Sequence, residues 1–194
     1  MIHRSARPRT GTCRHERNFD LEPSVFYTCT TATPDGPPLE IAWGSLAFET
    51  YGVLCGSHLI RPPAAWTSEL ARDASALQPY GFTLSDLREF GTPPREIATH
   101  MNESLAEREL LSAVPEDDAR IQRMFDAAEI APKFALELAD ADELIAELAR
   151  LRDLLPATAA RARREAEVMC LTGIRAEAKV RFLATYWGFV AWHN

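Results

Sequence analysis

The sequence predicts a single α/β domain in which helices flank a mixed β-sheet. Three observations support this class: a β-rich start, a helical C-terminal half, and short strands that alternate with helices between them. The chain has 194 residues, which is typical of one domain, and 46% of them are hydrophobic. A chain of this size buries a core without disulfide bonds. We therefore place one domain at residues 23–194.

Three β-like segments open this domain, at residues 24–30, 39–48 and 52–60. The first is rich in aromatic and β-branched residues, which favour strands. The stretch 33–38 contains Pro-Asp-Gly-Pro-Pro and predicts a turn between the first two strands. Pro62 and Pro63 end the third segment, because proline cannot donate to a strand ladder. The pattern predicts a three-strand antiparallel meander.

Helices dominate the remaining sequence. We predict helices at residues 67–77, 84–90, 93–107, 115–128, 140–155, 158–171 and 174–192, with short strands at 109–113 and 133–138. The clearest helix is 140–155, where Leu144, Ile145, Leu148 and Leu151 recur at spacings of three and four. Such a helix presents one apolar face to a core. The order of elements therefore predicts helices packed on both faces of a mixed sheet.

The charge of the chain is uneven. The net charge is −7, yet residues 1–18 contain five arginines and one glutamate. We predict that residues 1–22 form a basic, disordered tail, and a basic arm that touches nucleic acid is the alternative. The acidic remainder weakens non-specific nucleic-acid binding, although it is compatible with a local basic groove. His3, Cys13 and His15 lack a standard ligand spacing and predict no metal site.

Cysteine usage and hydropathy bear on the compartment. The four cysteines are scattered and form no C-x-x-C motif, which favours a reduced, cytoplasmic compartment. No stretch approaches the ~20 uninterrupted apolar residues that a membrane span requires. We expect no membrane partner.

Six short motifs carry a resemblance to a known family. They are VFYTCTTA at 25–32, LEIAWG at 39–44, SHLIRP at 57–62, YGFT at 80–83, LSAVPEDD at 111–118 and IRAEAK at 174–179. Each motif alone is weak, but in this order and spacing they resemble the DnaQ-like (DEDD) 3′–5′ exonucleases over residues 24–192. The resemblance implies a ribonuclease H-like sheet, with a three-strand antiparallel meander plus short parallel strands.

The resemblance also implies where catalytic residues would lie, and most of them are replaced. Members of this family use four carboxylates to bind two divalent ions that activate water, with a histidine as general base. The corresponding positions here are Thr28, Thr30, Asp118 (with Asp117 as the register alternative), Ile174 for the histidine, and Lys179. Asp118 is then the only retained metal-ligand position. We expect no cofactor, and Mg²⁺ or Mn²⁺ only if the chain is active.

Two further hypotheses concern charge at this site. If Asp118 and Lys179 occupy the old metal position, the lysine ammonium replaces a cation and pairs with the carboxylate. Glu40 and Glu177 are candidates for a rebuilt metal site, but we interpret both as surface or hairpin residues.

Other residues have alternative interpretations. By resemblance, Tyr80 and Arg175 are candidate binding residues. Arg161, Arg163, Arg164, Arg175 and Arg181 form either a phosphate-contacting strip or a solvated face beside Glu165 and Glu167. The tryptophans at 43, 66, 187 and 192 favour core packing over a base-stacking platform. We interpret His58 as structural and His100 as solvated.

These observations together predict a pseudo-exonuclease, a non-catalytic module that binds a nucleic-acid end or a protein. The alternative is an active metal-dependent 3′–5′ exonuclease acting on DNA or RNA. A third possibility is a scaffold that self-associates through its C-terminal helices, where an exposed apolar surface would mark the interface.

Overall fold

Five strands form one mixed sheet in a computed structural model that describes residues 24–47, 52–112, 114–170 and 173–192. The strands are β1 Val25–Thr31, β2 Pro38–Ala47, β3 Gly52–Leu59, β4 Glu109–Ser112 and β5 Ala135–Asp140. Their order is β3-β2-β1-β4-β5. β1, β2 and β3 are antiparallel, whereas β4 runs parallel to both β1 and β5. The predicted class, an α/β fold with an antiparallel meander plus short parallel strands, is confirmed.

Seven α-helices and one 3₁₀ helix surround this sheet in the described part of the chain. They are α1 Ala64–Arg72, the 3₁₀ helix Ala74–Tyr80, α2 Leu84–Phe90, α3 Pro94–Ser104, α4 Asp117–Ala128, α5 Ala141–Leu151, α6 Pro156–Met169 and α7 Ala176–Trp192. The predicted tail at residues 1–22 lies outside the described residues. No helix in the described ranges is long and apolar enough to cross a membrane.

Most of the predicted helices differ from the structure by a few residues at their ends, and the differences in two of them have a clear cause. The helix expected at 67–77 is α1 followed by a 3₁₀ helix, because Pro79 cannot supply the N–H of a regular helix and the segment closes with a tighter turn. The helix expected at 140–155 ends at Leu151. Two residues later Asp153 adopts a φ of 53°, which is not helical. Pro156 then begins α6, because a proline in the first turn loses no helical hydrogen bond.

The sheet separates two hydrophobic clusters. Alternation along β1 places Tyr27 and Cys29 against α1, α3 and α4, and Phe26 against α5, α6 and α7. Three of the four tryptophans, Trp43, Trp66 and Trp187, are buried, so the core interpretation of these three is confirmed. Residues 28 and 30 share the face of Phe26, which turns them toward α7.

Helix α7 lies close against the middle of the sheet at Gly44. A Cβ atom on Gly44 would be 2.5 Å from the Leu54 carbonyl oxygen and 3.0 Å from Cγ1 of Val180. The glycine therefore allows α7 to approach β2, and this contact holds the start of α7 beside β1.

We expect Gly44→Ala to lower the free energy of unfolding by about 1–3 kcal/mol, because the added methyl group overlaps the Leu54 carbonyl of β3 and crowds Val180 of α7. Urea denaturation measures the change. Gly56→Ala is the matched control in the adjacent strand, since a Cβ there meets the Trp43 ring at 3.4 Å, an ordinary contact. Equal losses in both variants would contradict this account.

Candidate functional site

The candidate site lies on the α7 side of the sheet, near the C-terminal end of β1. Thr28 and Thr30 project from β1 with only 2% of each residue exposed. On β2, Thr28 lies opposite Ala42 and Thr30 lies opposite Glu40. We call the group formed by Thr28, Thr30, Glu40, Asp117, Arg120 and Arg175 the β1 site. It contains two buried carboxylates, each with its own arginine.

Asp117 is the first of these carboxylates and is fully buried at the start of α4. Its Oδ2 accepts hydrogen bonds from Thr28 Oγ1 at 2.6 Å and from Ser112 Oγ at 2.8 Å. Its Oδ1 accepts from Arg120 Nη1 at 2.8 Å, one helical turn along α4. Negative charge at a helix N-terminus is also favourable. The Asp117 carboxylate is thus neutralised and hydrogen-bonded at both oxygens.

Arg120 and Ser112 extend this network to the surrounding loops. Arg120 Nη2 donates to the carbonyl of Pro34 at 2.9 Å, in the turn between β1 and β2. Ser112 Oγ, at the end of β4, accepts from the backbone N–H of Val114 at 3.1 Å. One carboxylate therefore links β1, β4, α4 and, through Arg120, the β1–β2 turn.

Glu40 is the second buried carboxylate, with 2% of the residue exposed. Arg175 binds it in a bidentate manner, from Nε to Oε2 at 2.8 Å and from Nη2 to Oε1 at 2.9 Å. Oε2 also accepts from the Ala176 N–H at 3.0 Å and from Thr30 Oγ1 at 3.2 Å. The hydrogen bond with Glu40 raises the pKa of the Arg175 guanidinium. The start of α7 is therefore attached to β2 through a charge pair.

The hypothetical ion pair between Asp118 and Lys179 does not form. Asp118 accepts a hydrogen bond from the Tyr27 hydroxyl, on the other face of β1. Lys179 is exposed and makes no ion pair with any described residue. Asp117 and Asp118 are consecutive at the start of α4, and their side chains point in different directions. Asp117, the alternative to Asp118 in the sequence analysis, is therefore the aspartate in contact with Thr28.

Burial and this hydrogen bond affect the Tyr27 phenol. Burial raises the pKa of Tyr27 far above its usual range, and the hydrogen bond to Asp118 raises the pKa further because it holds the phenolic proton. Tyr27 therefore stays neutral at any physiological pH and acts as a donor that fixes Asp118.

The other predicted site residues lie around the start of α7. Ile174 is 49% exposed just before the helix. Tyr80 is half-buried and stacks on Phe82 with ring centroids 6.1 Å apart, and the Arg175 guanidinium lies 5.1 Å from the centroid of Phe82. Tyr80 and Arg175 thus flank one aromatic ring at the edge of the β1 site.

The charged side chains near Cys29 affect the pKa of its thiol. Burial raises the pKa of the Cys29 thiol, and the charge of Asp117 raises it further, whereas Arg120 and Lys179 lower it. Three cations, Arg120, Arg175 and Lys179, accompany the two buried carboxylates of the β1 site. The region is therefore already charge-compensated by protein side chains.

The β1 site does not fit a pair of divalent ions. Such ions require several carboxylate oxygens that are free to coordinate, but the oxygens of Asp117 and Glu40 are occupied by arginine, hydroxyl and amide donors. Within the described ranges, no three His, Cys, Asp or Glu side chains are grouped so that they could hold a metal ion.

Sequence reasoning missed the second half of this site. Glu40 lies in the hairpin, which is one of the two expected alternatives, but it is buried and not at the surface. The sequence did contain a signal for this pair: Glu40 places a charge between Leu39 and Ile41 in an otherwise apolar strand. A charge buried in such a strand requires a partner of opposite charge. Glu177 is a partly exposed residue paired with Arg181 at 2.8 Å, in agreement with its surface interpretation.

The solvated-face interpretation of the α6 arginines also agrees with the structure. Arg161 pairs with Glu165 at 2.7 Å on an exposed helix face, and the half-buried Arg163 pairs with Glu167 at 3.3 Å and with Asp142 of α5 at 3.1 Å.

Comparisons with known proteins return solved structures alone. No family model matches the chain, and no curated protein matches it. One similar structure is Exonuclease X in complex with 5′ overhanging duplex DNA, at 12% identity and a TM-score of 0.48, covering 86% of this chain and 89% of that one. Another is E. coli Exonuclease I in complex with a dT13 oligonucleotide, at 15% identity and a TM-score of 0.45, covering 65% of this chain. The match spans 30% of the Exonuclease I chain.

Substitution of the two neighbouring aspartates distinguishes their roles. We expect Asp117→Ala to lower the free energy of unfolding by about 3–5 kcal/mol, because Arg120 loses its buried partner. Asp118→Ala removes one hydrogen bond from Tyr27 and should cost about 1 kcal/mol. Denaturant titrations of both variants measure the difference. A larger loss in Asp118→Ala would contradict the assignment of Asp117 to the β1 site.

Proposed function

We propose that this chain is a catalytically degenerate exonuclease-like protein that binds nucleic-acid ends without a metal ion. The observation that carries the proposal is the pairing of each buried carboxylate of the β1 site with an arginine. Internal guanidinium groups supply there the positive charge that divalent ions supply in an active site of this type. The family resemblance of the sequence motifs gives the class of ligand.

The residues present also lack the groups for hydrolysis. Thr28 and Thr30 offer neutral hydroxyls that already donate to carboxylates. Ile174, at the position of the general base, cannot accept a proton, and Lys179 repels a cation. The site therefore has neither ligands for two ions nor a base to activate water.

An anionic ligand finds unpaired donors beside the β1 site. Arg175 uses Nε and Nη2 for Glu40, while its Nη1 makes no hydrogen bond with a described residue. Lys179 is an exposed residue in the first turn of α7, and its backbone N–H donates to the Arg175 carbonyl at 3.3 Å. Tyr80 presents a ring beside Phe82. A terminal phosphate between Arg175 and Lys179, with a base against Tyr80, fits this arrangement.

Binding of a short single-stranded oligonucleotide tests the proposal, with fluorescence anisotropy as the measurement. We expect the same Kd in EDTA and in Mg²⁺, and a roughly threefold to tenfold weaker Kd for Lys179→Ala because one phosphate contact is lost. The matched control is Lys133→Ala, which removes an exposed lysine from the loop before β5. This variant should bind the oligonucleotide with the wild-type Kd. Equal weakening in both variants, or binding that requires Mg²⁺, would contradict the proposal.

The nuclease activity of the chain is a separate test. We expect no release of 3′ nucleotides from labelled single-stranded DNA or RNA with Mg²⁺ or Mn²⁺, since neither the ligands nor the base are present. Processive loss of 3′ nucleotides that Asp117→Asn or Asp118→Ala abolishes would establish the active alternative instead. These two variants also exclude a contaminating nuclease, whose activity would survive both substitutions.

A second candidate, a protein-binding module, is favoured by the surface between α6 and α7. A groove of about 420 Å³ there is lined by Arg161, Arg164, Glu165, Val168, Met169 and Phe189. Val168 and Met169 are 77% and 67% exposed, which is unusual for large apolar side chains. Light scattering tests self-association: a monomer at high concentration counts against it.

The cytoplasmic location stays a prediction.

A further inference from the structure

Two histidines outside the β1 site face each other on the opposite side of the sheet. His58 lies on β3 and is half-buried, and His100 lies on α3 and is exposed. His58 Nε2 and His100 Nδ1 are 3.3 Å apart. The family resemblance assigns no role to His100, and the proposed binding of nucleic-acid ends uses neither histidine.

The distance between the two nitrogens equals the distance between two ligand atoms of one tetrahedral metal ion. Imidazole nitrogens bind Zn²⁺ at about 2.0–2.1 Å in tetrahedral geometry, so two such ligands on one ion are separated by about 3.3–3.4 Å. The observed 3.3 Å lies at this value. Without a metal, the pair shares one N–H···N hydrogen bond. An ion between the two nitrogens requires both rings to turn until their lone pairs converge on it.

The pair is held in place by the surrounding backbone. Arg61 N donates to the Thr92 carbonyl at 2.9 Å and Thr92 N donates to the Leu59 carbonyl at 2.8 Å, which ties the start of α3 to the end of β3. Trp43 stacks on the His58 ring with centroids 5.4 Å apart and meets His100 edge-on at the same separation. Both ligands are therefore positioned before an ion arrives, which lowers the entropic cost of binding.

The environment also keeps His58 in the form that binds metals. Burial lowers the pKa of His58, and the nearby His100 lowers it further, which disfavours the protonated imidazole. No carboxylate is hydrogen-bonded to either ring among the described residues. The two remaining coordination positions of a tetrahedral ion would face solvent or an incoming ligand.

We propose that His58 and His100 form a surface site for one borderline divalent cation, of the Zn²⁺, Co²⁺, Ni²⁺ or Cu²⁺ class. These ions prefer imidazole nitrogen, whereas Mg²⁺ and Ca²⁺ prefer oxygen ligands. The open positions suit water or a side chain from a bound macromolecule. This site is independent of the proposed function and survives if that function is wrong.

Isothermal titration of the full chain with Zn²⁺ tests the proposal. We expect one saturable site, weakened roughly tenfold or more by either His58→Ala or His100→Ala. The control variant His3→Ala, Cys13→Ser, His15→Ala, His193→Ala removes the zinc-binding residue types of the undescribed segments, and it should retain the site. Because His100 is exposed, His100→Ala is the variant least prone to misfolding, and near-UV circular dichroism checks its fold.

Co²⁺ provides a second readout, since its visible absorption distinguishes tetrahedral from octahedral coordination and bound Co²⁺ quenches the adjacent Trp43. We expect quenching in the wild-type chain and its loss in His100→Ala. Three results would overturn the proposal: no saturable zinc binding, binding that persists unchanged in His100→Ala, or binding that disappears in the control variant.

Discussion

The neutralisation of Asp117 by Arg120 is the interaction on which the site depends. A carboxylate with no exposed surface is unfavourable unless it is paired and hydrogen-bonded. Here the carboxylate receives one guanidinium and two hydroxyl donors. The Glu40–Arg175 pair repeats the arrangement on the neighbouring strand, with an added backbone N–H. Both pairs serve as structural links between the sheet and the helices, and both occupy the carboxylate oxygens that a metal would need.

The two threonines gain a role from these pairs. In isolation, Thr28 and Thr30 indicate only a β-strand. In the structure each hydroxyl donates to one of the buried carboxylates, at 2.6 Å and 3.2 Å. A carboxylate at residue 28 would instead repel Asp117 across the same short distance unless cations lay between them. The threonines and the arginines therefore form one mutually consistent arrangement around the two buried carboxylates.

The sequence predicted most of the architecture and only part of the site. Periodicity and proline positions located the strands and helices, and the motif order indicated the sheet. The exact ends of α1 and α5 depended on turns at Asp73 and Asp153 that no periodic pattern encodes. The choice between Asp117 and Asp118 depended on the direction of the first turn of α4. The partners Glu40 and Arg175 are 135 residues apart, and only the packing of α7 on β2 brings them together. The same holds for His58 and His100, which lie 42 residues apart on a strand and a helix.

A crystal structure of the protein grown in millimolar Mn²⁺ would show whether the β1 site holds metal ions, because anomalous scattering locates manganese. We expect no manganese at the β1 site, with Arg120 bound to Asp117 and Arg175 bound to Glu40. Two manganese ions among Thr28, Glu40 and Asp117, with the arginines displaced, would contradict this expectation.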